Sequence, residues 1–269
     1  YFGYDSFRPG QETMIDAILE GRDALGIMPT GAGKSICYQV PALMLSGITL
    51  VISPLISLMM DQVKALNQAG IHAAFINSSL TESQINKALQ YASQGRYKII
   101  YVAPERLETE SFRSFALQAQ ISMVTVDEAH CISQWGQDFR PSYLKIVEFI
   151  RLLPRRPVIA AFTATATQKV REDVKRILDL RSPVEVVTGF DRPNLWFEVR
   201  HPDMKDGELL RLLEARKRRS GIVYCATRKS VEQVCQLLTD RGYAATRYHA
   251  GLEERERMEN QNAFLYDEK

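Results

Sequence analysis

Ala24-Leu25-Gly26-Ile27-Met28-Pro29-Thr30-Gly31-Ala32-Gly33-Lys34-Ser35, followed by the periodic apolar run 36–45, is the stretch that decides the fold. Residues 24–28 form a short, uninterrupted apolar run that reads as a buried strand, and 36–45 read as a helix. Between them, glycines let the backbone turn its N–H groups inward onto phosphate oxygens, and the helix adds the positive end of its dipole. In such a loop Lys34 reaches the outer phosphates of a nucleotide, and the Ser35 hydroxyl sits on magnesium. One position departs from the general pattern, because Met28 stands where that pattern has a glycine. The competing reading is a Gly-rich turn with an accidental Lys-Ser pair. The strand before and the helix after are the context a phosphate loop requires.

Outward from this loop, short β-branched runs at 48–53, 73–77, 98–102, 123–127 and 158–163 alternate with amphipathic stretches such as 54–70, 81–94 and 167–178. Such alternation predicts an α/β fold with a parallel sheet covered on both faces. A second series begins near Phe190, with strands expected at 195–199, 221–225 and 244–248 and helices at 229–242 and after Leu252. The stretch 189–194, which contains Gly189, Asp191 and Pro193, reads as the boundary. Two domains are therefore expected, at 1–188 and 189–269. A parallel domain usually has about five or more strands, so the second is expected to be incomplete.

The apolar run 123–126 ends in Asp127-Glu128-Ala129-His130. Parallel sheets put their ligands at the carboxyl ends of strands. There, Asp127 can hold magnesium and Glu128 can orient or deprotonate an attacking water. An Asp-Glu pair alone is usually just a polar strand end; beside the phosphate loop it becomes a candidate hydrolytic pair.

Composition narrows little further. The 269 residues are 45% hydrophobic and 25% charged, which is ordinary globular composition and enough for a core without disulfide or metal staples. A net charge of +2 does not argue for nucleic acid, so any basic footprint must be local. Clusters at 151–156 and 216–219 are candidates, although a solvated helix end or loop is the simpler reading of both. Cys37, Cys131, Cys225 and Cys235 form no Cys-x-x-Cys pair and no zinc spacing, and read as free buried thiols of a reducing compartment. No apolar run reaches the roughly 18 residues of a membrane span. No charged-then-apolar leader is visible, so a cytoplasmic location is expected, at the nucleoid if the cell is bacterial.

Thr30-Gly31-Ala32-Gly33-Lys34-Ser35 and Asp127-Glu128-Ala129-His130 resemble motifs I and II (the DEAH box) of the second helicase superfamily, in which a small residue commonly stands where Met28 stands. Five further stretches narrow the resemblance to the RecQ DNA helicases. They are Phe7-Arg8-Pro9-Gly10-Gln11, Ser53-Pro54-Leu55-Ile56-Ser57-Leu58, Ala103-Pro104-Glu105-Arg106-Leu107, the loop 129–141 and Phe190-Asp191-Arg192-Pro193-Asn194. The likeness continues to Tyr248-His249-Ala250-Gly251-Leu252.

The resemblance implies two RecA-like domains of a P-loop NTPase that use ATP and Mg2+ for 3′→5′ translocation on single-stranded DNA and duplex unwinding in repair and recombination. It places Tyr4 and Arg8 on the adenine and Gln11 on its edge, beside Thr30, Gly31, Ala32, Gly33, Lys34 and Ser35 on the phosphates. Gln11 alone would read as a polar helix start. It places Lys34, Asp127, Glu128 and His130 in catalysis, with Ser35 and Asp127 as metal ligands. In the loop 129–141, which in this family senses single-stranded DNA, Gln134, Trp135, Phe139 and Arg140 become DNA contacts. An aromatic face can stack a base, and Arg140 can pair a phosphate. Residues alone leave open that Trp135 and Phe139, four apart, form one helical stripe.

Thr163-Ala164-Thr165 corresponds to the motif linking hydrolysis to strand separation, with its hydroxyls beside Asp127 and His130, although it also reads as the N-cap region of the next helix. Ser53, Ser57 and Ser78 are candidate phosphate contacts or simply caps and turns. Arg228 and His249 would face DNA or the cleft between domains. Two later family motifs, which supply an arginine to the γ-phosphate, do not follow Leu252, and the family's zinc-binding and winged-helix regions are likewise not found. A trans-acting arginine is worth roughly 10³–10⁵ in rate, so these residues alone are expected to bind ATP but turn it over slowly. The rivals are an RNA helicase of the same superfamily and an ATP-gated nucleic-acid-binding module without turnover.

Overall fold

The apolar runs pair side by side into one sheet. In the computed structural model, which describes residues 2–136, 138–189, 194–217 and 219–266, the chain divides into two compact units, Tyr1–Arg192 and Pro193–Lys269. The first unit runs α1 (Gln11–Leu19), β1 (Ala24–Ile27), α2 (Lys34–Met44), β2 (Ile48–Ile52), α3 (Ile56–Gln68), β3 (Ala73–Ile76), α4 (Glu82–Ser93), β4 (Ile99–Val102), α5 (Glu110–Gln118), β5 (Ile121–Val126), α6 (Leu144–Leu152), β6 (Val158–Thr163), α7 (Gln168–Ile177) and β7 (Val184–Val187).

The seven strands lie in the order β3-β4-β2-β5-β6-β1-β7, and every pair is parallel. Strands β1, β2 and β4 are buried at every position, as a sheet covered on both faces requires. One face packs Leu25, Ile27, Leu50 and Val124 against α4 to α7; the other packs Val51, Met123 and Phe162 against α1 to α3. Strand β7, which the sequence reading missed, lies at the edge, where Glu185 interrupts the valines and half the positions face water.

At the amino-terminal edge of the sheet, buried Asp23 ties three strands together. Its carboxylate accepts both Arg156 guanidinium nitrogens at 2.6 and 3.0 Å, the Ile159 N–H at 2.9 Å and the Arg181 N–H at 2.7 Å. Arg156 is thus part of the framework, and the reading of 151–156 as a solvated helix end fails for it.

The second unit contributes α8 (Lys205–Glu214), α9 (Arg228–Asp240) and α10 (Glu254–Leu265). The strands expected at 195–199, 221–225 and 244–248 form no ladder among the described residues. β-Branched and aromatic content marks a segment that can pair; a strand exists only when a neighbour supplies its backbone hydrogen bonds. Phe197 and Tyr224 are instead 84% and 92% exposed. Among the described residues no helix is long and apolar enough to cross a membrane.

Candidate functional site

The loop after β1 owes its shape to two glycines. Gly31 and Gly33 take left-handed backbone angles, φ 82° and 84°, and Met28 does not. Position 28 therefore needs no glycine, nor is it small. The Met28 side chain is fully buried, with its sulfur 3.9 Å from Cys37 Sγ. Helix α2 begins at Lys34 with no side-chain cap on its Gly33 end; the Ile36 N–H turns back to the Gly33 carbonyl at 3.1 Å, and the start of the helix presents the positive end of its dipole to an anion. The Lys34 ammonium donates to the Met28 carbonyl at 3.1 Å.

Gln11 grips this loop from α1. Its amide nitrogen donates to the Gly33 carbonyl at 3.0 Å and the Ala32 carbonyl at 3.4 Å, while its oxygen accepts the Arg8 N–H at 2.8 Å. Arg8 adds a guanidinium bond to the Gly31 carbonyl. A Cβ on Gly33 would lie 2.3 Å from the Gln11 amide nitrogen, so any larger residue there would push the Gln11 side chain off the loop. In this structure the Gln11 amide is committed to the loop, and an adenine edge would have to compete with those carbonyls. Tyr4, Arg8, Gln11, Thr30, Lys34, Ser35, Asp127 and Glu128 all line one cleft of about 340 Å³.

The carboxylate pair sits across that cleft at the end of β5. Asp127 is 7% exposed. Burial, reinforced by the neighbouring Glu128 charge, pushes its carboxyl up to about 6, against the opposing pull of the Glu128 N–H at 3.0 Å and of Lys34. Glu128 is left-handed, φ 48° and ψ 45°, a conformation costing a non-glycine residue about 1–2 kcal/mol. That turn ends the strand and starts a short 3₁₀ turn, Ala129–Ile132. Tyr143, which no local signal singled out, donates its hydroxyl to the Asp127 carbonyl at 2.8 Å.

His130 reaches back to the next strand. Its Nδ1 is 2.7 Å from Thr163 Oγ1 and 3.3 Å from Glu128 Oε2. The Thr163 hydroxyl donates to the Thr165 carbonyl at 3.2 Å, so Nδ1 is the donor toward Thr163. The Thr163 carbonyl also accepts the Met28 N–H at 3.0 Å. The strand order β5-β6-β1 thereby sets Thr163 between the carboxylate pair and the phosphate loop. Thr167, rather than the earlier threonines, caps α7.

Among the described residues from Ser133 to Arg140 none is helical, so Trp135 and Phe139 form no helical stripe. Gly136 lies against the His130 carbonyl, where a Cβ would come within 2.3 Å. Gln134 and Trp135 are exposed, and Phe139 and Arg140 are half-buried. Arg140 is engaged twice over, with Asp138 Oδ2 at 2.7 and 2.9 Å and the Pro54 carbonyl at 3.4 Å. A phosphate would have to compete with Asp138 for it.

Ser57 and Ser78 are exposed, but Ser53 is not. Its hydroxyl is buried at the end of β2 with no hydrogen-bond partner among the described residues, whereas Ser57 and Ser78 reach the surface. In the second unit Arg228 is exposed, and His249 Nε2 meets Glu232 at 2.8 Å, a carboxylate that also holds Arg247 at 2.8 Å. The motif at 190–194 falls, except for Asn194, outside the described residues. Of the four free cysteines, Cys37 and Cys131 are buried, but Cys225 and Cys235 are only partly so. No cluster of three or more His, Cys, Asp or Glu able to hold a metal occurs among the described residues.

The DEAD/DEAH box helicase family matches residues 8–174. Over its whole length the chain is 47% identical to the ATP-dependent DNA helicase RecQ of Bacillus subtilis (strain 168), covering 46% of that protein. It is 46% identical to the RecQ of Pasteurella multocida (strain Pm70) over 99% of the chain and 42% of the relative. The chain thus spans less than half the length of these curated relatives. Among solved structures it resembles the DUF1998 helicase MrfA bound to DNA and AMPPNP, with a TM-score of 0.73 and 17% identity over 97% of this chain and 40% of that one. At that identity the likeness shows the fold alone.

Proposed function

The chain belongs to the DEAD/DEAH box helicase family, and on that premise we propose that it is the nucleotide-hydrolysing part of an ATP-dependent DNA helicase of the RecQ type. The observation that carries the reading is the cleft in which Asp127 and Glu128 face the loop of Gly31, Gly33 and Lys34. The triphosphate is the substrate, held by the loop N–H groups and Lys34. Magnesium fits the residues present. Asp127 is a buried carboxyl short of positive charge, and Ser35 lines the same cleft. Those two residues would hold the ion, which when bound neutralises phosphate charge.

Glu128, turned into the cleft by its left-handed backbone, orients the attacking water and takes its proton. His130 connects Glu128 to Thr163, so a change in the carboxylate pair is felt on β6 and the segment after it. Trp135, exposed and aromatic, offers a stacking face for single-stranded DNA. Ser57, Ser78 and Gln134 are exposed candidates for the remaining strand contacts, and Tyr4 and Arg8 for the base of the nucleotide. Translocation runs 3′→5′, a polarity carried by the family resemblance.

The test is ATP turnover by the full-length protein with single-stranded DNA or RNA added. DNA is expected to stimulate more strongly; stronger stimulation by RNA would sink the DNA reading. Partial duplexes with single 3′ or 5′ tails report the polarity.

A further inference from the structure

Trp135 is 63% exposed, so burial does not hold it in place. Two contacts from α7 do. Ser133, fully buried, donates its hydroxyl to Asp173 Oδ2 at 2.8 Å and accepts the Trp135 N–H at 3.2 Å. Both the hydrogen and a lone pair of that hydroxyl are thereby used, which fixes the backbone of Trp135. The other Asp173 oxygen meets Arg176 at 2.7 Å. The Lys169 ammonium lies 3.1 Å from the centre of the Trp135 ring. Lys169 and Asp173 are four apart and share one face of α7.

The same helix is capped at its start by Thr167, four residues after Thr163, whose hydroxyl meets His130. It is ten residues long and is seated on the core by buried Val170 and Val174. One end of α7 is therefore tied to the hydrolytic site, and its side to the aromatic segment. We infer that Asp173 is a positioning residue that couples the Trp135 segment to the Thr163–His130 contact through α7. The inference rests on the reading of Trp135 as a single-stranded DNA contact.

The experiment uses the full-length protein with Asp173→Ala, Asp173→Asn, Ser133→Ala and Arg176→Ala. ATP turnover is measured without DNA and across a titration of single-stranded DNA, alongside thermal unfolding. Asp173→Ala and Ser133→Ala are expected to lower maximal DNA stimulation at least about fivefold, with DNA-free turnover within about twofold of the parent. Asp173→Asn keeps the acceptor and restores stimulation, and Arg176→Ala leaves it unchanged.

Equal loss of turnover with and without DNA, or unchanged stimulation in Asp173→Ala, overturns the coupling. Ser133→Ala breaks the same bond from the loop side and decides the matter if Asp173→Ala does not fold. Should the parent protein show no DNA stimulation, the DNA reading falls and the coupling with it. Should the parent respond and Asp173→Ala respond equally, only the coupling falls.

Discussion

Asp127→Asn should stabilise the nucleotide-free protein while destroying its use of magnesium nucleotide. Asp127 is 7% exposed, and its carboxyl is raised from an ordinary 3.8 to about 6, by burial first and by the Glu128 charge second. At about 1.4 kcal/mol for each tenfold in acidity, the ionised form costs the folded state about 3 kcal/mol at neutral pH. The sign follows from proton uptake. A carboxyl whose folded value lies above its unfolded value holds its proton more tightly when folded, so its contribution to stability is lost as pH rises from about 4 to about 6.

Asn carries no charge and can still accept the Glu128 N–H that Asp127 accepts at 3.0 Å. In urea denaturation followed by circular dichroism, the variant is therefore expected to exceed the parent by about 2–3 kcal/mol at pH 7.5. In thermal melts this corresponds to roughly 5–10 °C for a domain of this size. The gap should shrink to below about 1 kcal/mol near pH 4, where the folded carboxyl is protonated and pH has come close to the unfolded value of 3.8. Addition of ATP with magnesium should stabilise the parent and leave the variant unmoved. Equal stability at pH 7.5, or a gap that persists unchanged to pH 4, would refute the account of Asp127 as a strained buried anion.

Lys34→Ala should abolish ATP hydrolysis in the full-length protein yet shift stability by less than about 1 kcal/mol, since among the described residues its ammonium bonds the Met28 carbonyl alone, at 3.1 Å; unchanged turnover would remove the loop from the mechanism. Trp135→Ala should weaken single-stranded DNA binding by about 1–3 kcal/mol, read by fluorescence anisotropy, with no loss of thermal stability because the ring is exposed. Arg156→Ala should cost about 2–4 kcal/mol in denaturant unfolding, because it strips the guanidinium from buried Asp23. Nucleotide affinity should hold in that variant, since Asp23 precedes β1 and the phosphate loop follows it; a selective loss of nucleotide binding at normal stability would contradict this structural role.

Much of the first unit could be read from periodicity. The runs at 48–53 and 158–163 become β2 and β6 because an uninterrupted apolar segment bounded by turn residues has few other places to go. Strand β7 carries no such signal, because an edge strand needs apolar residues on only one side and Glu185 interrupts its valines. The segments 195–199, 221–225 and 244–248 carry strand composition without a ladder, since composition does not supply a partner. Ser53 reads as a reachable hydroxyl in sequence, but the close of β2 buries it. Gln11 shows how residue type leaves a role open: its amide suits an adenine edge, and the fold sets it against the carbonyls of Ala32 and Gly33.

By itself the sequence determined the alternation of strands and helices, the glycines at 31 and 33 and the chemistry that Lys34, Ser35, Asp127 and Glu128 can perform, because each follows from neighbours within a few residues. Tertiary structure decided which of these meet. The strand order β5-β6-β1 brings Asp127, Thr163 and Met28 to one edge of the sheet. Buried Ser133 joins the aromatic segment to Asp173, forty positions away. Periodicity encodes which face of an element is buried. It does not encode which strand lies beside which, and strand order is what assembles this site.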